Sequence, residues 1–334
     1  MTDGVKPGVF YPSHKAVDMY SHYLDDIALF GEMGFKCYRM SINWSRIFPR
    51  GDEREPNRAG VEFYRRVFQK CRECGIEHMV TLSHYELPYY LAKHYGGWAN
   101  PELIGFYLNY AHTVMTEYKG LVRYWLTFNE INCLLMGGFG NIMGAGILPP
   151  GDDVPMTFGD TPWDNPQKRY QALTTSSSRA RAASPWARDR SPEQDRLHDR
   201  GQRHPPAHLQ PRRRPRRPAT QREHSFYCGD VQVRGAYPAW APALWEREGV
   251  RIEVSPEDAA TLKAGPVDFY SFSYYMSSTA TADPALAEAG NIFGGAGNEY
   301  LKKRRRGHPR AQPKGFLLLV QEGNREQRRG PLVM

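Results

Sequence analysis

Apolar positions alternate between two rhythms along the chain. Between residues 16 and 34, Val17, Tyr20, Leu24, Ile27 and Ala28 recur at helical spacing, and Gly34 supplies a stop. KCYRMSI at 36–42 then reads as a strand. The spacing predicts a second helix from about Arg58 to Cys74, ended by Gly75, and a strand EHMVTLS at 77–83. A third helix is predicted over about 101–119, with Pro101 in its first turn and Gly120 past its end. VRYWLTF at 122–128 follows as a strand. Further on, a helix at 256–264 precedes a strand PVDFYSF at 266–272. Strands and helices alternating at this spacing predict βαβ units and a parallel sheet.

The ends of these strands separate two ways of building such a sheet. Arg39 lies on the first, His84 follows the second, Asn129 and Glu130 follow the third, and Tyr274 follows 266–272. No glycine-rich phosphate loop follows any of them. Polar residues drawn from many strand ends suit a (β/α)8 barrel, whereas a doubly wound sheet gathers its ligand at one switch point.

Composition changes the picture in two segments. Residues 174–221 contain 12 Arg, seven Pro and no Val, Ile, Phe, Tyr or Met. Such a stretch buries too little apolar area to offset its ordering entropy, so disorder is the expectation there. Its abrupt edges suggest translation in a wrong reading frame, and residues 302–312, KKRRRGHPRAQ, have the same character. The formal net charge of +8 has its origin in these regions. Residues 174–221 carry 12 basic against 4 acidic residues, and 302–330 carry 10 against 2. The remainder holds 22 basic and 30 acidic residues, the balance of an acidic cytosolic enzyme. A nucleic-acid arm at 174–221 is disfavoured, because its one aromatic, Trp186, provides no interleaved stacking platform.

No apolar run approaches the roughly 20 residues that span a bilayer. The opening residues lack the pattern of a secretory signal, so the expected location is cytoplasmic. Five cysteines without disulfide-scaffold density suit a reducing compartment. Cys71 and Cys74 form a lone CxxC inside a helical pattern, which reads as two packed thiols; no metal or cofactor is expected.

The candidate chemistry sits in TFNE. Hydrolysis of a glycosidic bond needs a carboxylic acid to protonate the departing oxygen, and a retaining enzyme needs a second carboxylate about 5–5.5 Å away. A Glu at a barrel mouth, preceded by an Asn able to bind a sugar hydroxyl, meets the first requirement. The runs YRMSINWSRIFP at 38–49, TLSHYELPYYL at 81–91, YGGWAN at 95–100, YWLTFNEIN at 124–132 and VDFYSFSYY at 267–275 together resemble glycoside hydrolase family 1, in particular its bacterial 6-phospho-β-glucosidase branch.

That resemblance implies Glu130 as the acid/base and Asn129 as the ligand of the sugar 2-hydroxyl. It implies His84 as a contact in the cleaved subsite, Arg39 as support for the nucleophile's charge, and Tyr274 as its hydrogen-bond partner. A core histidine at 84, a buried ion pair at Arg39 and core packing at Tyr274 stay open beside those roles. Trp44 and Trp98 read as packing residues. The substrate implied is a β-glucoside or 6-phospho-β-glucoside, with no nucleic acid and no membrane as partner.

The same resemblance implies departures. The family's first strand and its sugar-binding Gln would precede this chain. The segment 174–221 would replace the fifth strand, and the ENG motif of the nucleophile and the last strand would lie past Met334. Glu322 in VQEGN, Asp268 and Glu86 are poor substitutes. The expectation is therefore an incomplete barrel, inactive as this chain for want of a nucleophile. A non-catalytic truncated or pseudogene product is the alternative.

Overall fold

The structure, a computed structural model, describes residues 7–151, 163–190, 195–200, 222–265, 267 and 269–273. Helix α1, Met19–Glu32, leads into strand β1, Cys37–Ser41. A one-turn α2, Trp44–Ile47, precedes α3, Arg58–Glu73, whose N-cap Asn57 accepts from the Ala59 amide at 3.2 Å. That bond satisfies one of the donors a helix start leaves open. Strand β2, Glu77–Ser83, is followed by α4, Tyr89–Tyr95, then α5, Leu103–Glu117, and β3, Tyr124–Phe128. After the single turn α6, Gly137–Phe139, comes the long α7, Pro166–Arg190. Strand β4 is Asp195–Arg200. Helices α8, Tyr227–Arg234, α9, Ala241–Arg247, and α10, Pro256–Ala264, precede β5, Phe269–Ser273.

The strands form one sheet in the order β1-β2-β3-β4-β5, every pair parallel. Strand order that follows chain order without reversal is the order of a barrel wall; a doubly wound sheet turns back at its switch point. Among the described residues, no helix is long and apolar enough to cross a membrane.

Of the stretch 174–221, residues up to 190 continue α7 and residues 195–200 form β4, which lies in the sheet between β3 and β5. Two physical reasons account for this. Ala and Arg, frequent over 179–190, are good helix formers whatever their periodicity. A strand between two neighbours is held by backbone hydrogen bonds, which do not require apolar side chains. The remainder of 174–221, the segment 302–312, Asp268, Tyr274 and Glu322 lie outside the described residues.

The core between sheet and helices is aromatic. Trp44 stacks on Tyr110 at 5.1 Å, Tyr107 stacks on Phe128 at 5.1 Å, and Trp98 meets Phe128 edge-on at 5.4 Å. Trp44 and Trp98 are each 2% exposed, so both pack rather than line an open surface. The Tyr110 hydroxyl donates towards the carbonyls of Leu82 at 2.9 Å and Ile42 at 3.2 Å, tying the ends of β1 and β2 to α5.

His78 of β2 is fully buried and stacks on Phe68 of α3 at 4.9 Å. Burial pulls its pKa down from 6.5 to about 4. The unfolded chain therefore takes up this proton first as pH falls. The stabilisation is complete above pH 6.5 and is lost as pH falls towards 4, by roughly 3 kcal/mol in all. Urea denaturation at pH 7 and pH 4 should show that loss, and His78→Leu should remove most of the slope.

Candidate active site

Register brings the polar residues together. Ser83 at the end of β2 pairs with Phe128 at the end of β3, and the Asn129 amide extends the ladder by donating to the Ser83 carbonyl at 2.8 Å. His84 and Tyr85 therefore leave the sheet beside Asn129 and Glu130. Arg39 on β1 pairs in register with Met79 and reaches across β2. Its Nη2 donates to Asn129 Oδ1 at 2.7 Å and to Thr81 Oγ1 at 3.3 Å. One guanidinium thus spans three strands and fixes the orientation of the Asn129 amide, whose Nδ2 must then face away from Arg39.

Glu130 follows in a left-handed conformation, φ 44° and ψ 50°, and Tyr85 opposite has φ 65°. Non-glycine residues pay roughly 1–2 kcal/mol for that region, so the neighbouring structure must hold them there. The Tyr85 hydroxyl donates to Glu130 Oε2 at 3.1 Å, and the Cys133 thiol lies 3.7 Å from the same oxygen. Glu130 is 7% exposed and Asn129 5%. Glu130 Oε1 is buried and makes no hydrogen bond among the described residues.

The electrostatics follow from this crowding. Burial lowers the pKa of His84, the Arg39 charge lowers it further, and Glu130 works in the opposite direction. The imidazole therefore favours its neutral form, able to donate or accept with a sugar hydroxyl. Burial also raises the Tyr85 phenol, with Cys133 and Glu130 adding to the effect, so Tyr85 keeps its proton. The Glu86 residue is exposed as a whole, while desolvation of its carboxyl pushes it up to about 7.

The loop beyond Glu130 is anchored at two points. Arg169 near the start of α7 is buried, grips Asp164 with Nε at 2.9 Å and Nη2 at 3.1 Å, and donates to the Leu135 carbonyl at 3.3 Å. Further along, the Trp98 amide donates to the Ala145 carbonyl at 2.8 Å. Gly97 has φ +66°, and a Cβ there would lie 2.3 Å from the Ala145 oxygen, so only glycine permits this approach.

Of the residues expected from sequence, His84, Asn129 and Glu130 converge where β2 and β3 end, and Arg39 reaches them from the middle of β1. Tyr274 lies outside the described residues. Tyr85, Cys133 and Thr81 belong to the site and went unread in the sequence. Tyr85 stood inside TLSHYELP, next to His84, and was the one most open to discovery. No group of three or more metal-ligating side chains occurs among the described residues.

Comparison with known proteins shows the family. Residues 10–300 match the model of glycosyl hydrolase family 1, and the chain belongs to that family. A 6-phospho-beta-glucosidase of Clostridium longisporum is 41% identical over 92% of this chain and 62% of its own length. The 6-phospho-beta-glucosidase AscB of Escherichia coli is 40% identical over 88% of this chain and 59% of its own. The chain thus spans about three fifths of these relatives. A beta-glucosidase structure from Thermotoga maritima aligns with a TM-score of 0.73 at 22% identity, over 95% of this chain and 65% of that one. The AHE enzyme of Alicyclobacillus herbarius aligns with a TM-score of 0.74 at 24% identity, over 92% of this chain and 64% of that one. The shared fold is the (β/α)8 barrel, of which the five described strands are consecutive members.

Replacing Arg39 by Gln should remove a charge-assisted bond to Asn129 and cost about 1–2 kcal/mol of stability. Urea denaturation of the variant measures it, and Arg39→Lys, which lacks the planar fork, should recover only part of the loss.

Proposed function

We propose that this chain carries the acid/base side of a retaining β-glycosidase acting on 6-phospho-β-glucosides. The observation that carries the reading is the Asn129–Glu130 pair at the mouth of β3, with a buried carboxyl oxygen that no described residue engages. About 40% identity to proteins named 6-phospho-beta-glucosidases supports the substrate class. Chain 1–334 is in this reading a single partial barrel domain.

In the first step Glu130, protonated, gives its proton to the glycosidic oxygen as the bond to the anomeric carbon breaks, while a second carboxylate attacks that carbon. In the second step Glu130 removes a proton from water, which displaces the enzyme carboxylate. Asn129, oriented by Arg39, presents its amide to the sugar 2-hydroxyl. His84, neutral at working pH, binds a further hydroxyl. Tyr274 completes the set on the nucleophile's side, as the sequence resemblance implies.

The test is turnover of an aryl 6-phospho-β-glucoside, with the plain β-glucoside alongside. Azide added in a parallel series can stand in for the second carboxylate. Without azide little or no turnover is expected, because the chain lacks its nucleophile in this reading; with azide, turnover should favour the phosphorylated substrate. Glu130→Gln should slow release of a poor leaving group by about 10²–10⁴-fold. An unchanged rate in that variant would remove Glu130 from the mechanism, and preference for the plain glucoside would remove the phosphorylated substrate.

A further inference from the structure

The proposed mechanism needs a proton at one definite atom, and a carboxylic acid has two oxygens to carry it. In Glu130 the two are not equivalent. Oε2 lies 3.1 Å from the Tyr85 hydroxyl and 3.7 Å from the Cys133 thiol. Oε1 is buried, with no hydrogen-bond partner among the described residues. Hydroxyl and thiol can both donate, and a proton on Oε2 would turn that oxygen from acceptor to donor against groups that already point hydrogens at it.

We propose that Tyr85, assisted by Cys133, is a positioning residue that makes Oε2 the carbonyl oxygen of Glu130 and so assigns the transferable proton to Oε1. This rests on the reading of Glu130 as the acid. No bond is made or broken by Tyr85, which keeps its own proton throughout. The proton leaves Oε1 for the glycosidic oxygen, and the resulting carboxylate gathers its charge on an Oε2 that two donors already stabilise.

Three features hold Tyr85 to this task. Its backbone stands at φ 65°, a conformation that turns the side chain out of the path of β2 and needs support from its surroundings. Its ring is gripped edge-on by Phe139 at 5.8 Å and by His84 at 5.6 Å. Burial keeps its hydroxyl protonated, so it is a donor wherever the enzyme works. Phe139 belongs to the loop that Glu130 opens, so the donor is held by the segment that follows its acceptor.

The direct test reads the bond itself. An infrared difference spectrum of the full chain, wild type minus Glu130→Gln, isolates the carbonyl stretch of protonated Glu130. A donor on the carbonyl oxygen lowers that frequency. Tyr85→Phe should therefore move the band upward, and Cys133→Ala should move it the same way by less. Tyr85→Phe keeps the ring and its contacts with Phe139 and His84, and circular dichroism checks the fold. Should it fail to fold, the band of Cys133→Ala decides the matter alone.

A band unmoved in both variants overturns the proposal. Kinetics add a second readout. With azide as the nucleophile, Tyr85→Phe should lower kcat for a poor, unactivated leaving group on the order of tenfold with little change in KM, and lower it far less for an activated aryl group that needs no proton. Equal losses on both leaving groups overturn the positioning role. If the band shifts while Glu130→Gln turns over normally, the catalytic reading of Glu130 fails and the Tyr85 contact stands, so the two ideas fail separately.

Discussion

Parallel strands cannot slide independently once their ladders are set. β2 and β3 are locked with Ser83 opposite Phe128, and the Asn129 amide adds one more rung on Ser83. That rung decides where the chain leaves the sheet. His84 and Tyr85 on one side, Asn129 and Glu130 on the other, emerge at the same height because their last paired residues are neighbours. A slip of one residue would turn every side chain of β3 to the opposite face. It would carry Glu130 away from Tyr85 and Asn129 away from Arg39. The site is thus a by-product of register, and the aromatic layer behind it is what maintains the register. Tyr110 fastens the ends of β1 and β2, and Phe128 is wedged between Tyr107 and Trp98.

Charge is used sparingly within this frame. One cation, Arg39, donates to a neutral amide, Asn129, and fixes its orientation. The same cation keeps His84 uncharged by adding to the effect of burial. Glu130 meets a phenol and a thiol, which donate hydrogen bonds without bringing a full positive charge. In the proposed mechanism, a group that gives and takes a proton is served by neutral donors of this kind. The strongly paired carboxylate nearby, Asp164 with Arg169, holds the loop instead.

Much of this was legible along the chain, and the reasons differ from residue to residue. The bounds of β2 at 77–83 could be read directly, because a buried strand closed by Gly75 on one side and a loop on the other leaves little choice of frame. Ser255, Pro256, Glu257 and Asp258 announce the start of α10 by capping chemistry alone. Helix α7 was hidden past residue 174, since Ser, Ala and Arg in that order carry no apolar rhythm. β4 was hidden for a different reason: its place is held by neighbours on both sides, a relation that no local window contains. Arg39, His84, Asn129 and Glu130 were legible through the motifs around them. The link from Tyr85 to Glu130 spans 45 residues of sequence and depends on two left-handed backbones, neither of which a residue name reveals.

Gly97 gives the site an inheritance of its own. Because its bare Cα admits the Ala145 carbonyl, the turn before α5 and the far end of the Glu130 loop are pressed into a single seam. Neither side of that seam can drift alone. A lineage that lengthens the loop between 131 and 145 must either buckle the addition outward or give up the rung from Trp98. Among such proteins, the pair of segments that meet at Gly97 should therefore change together or not at all.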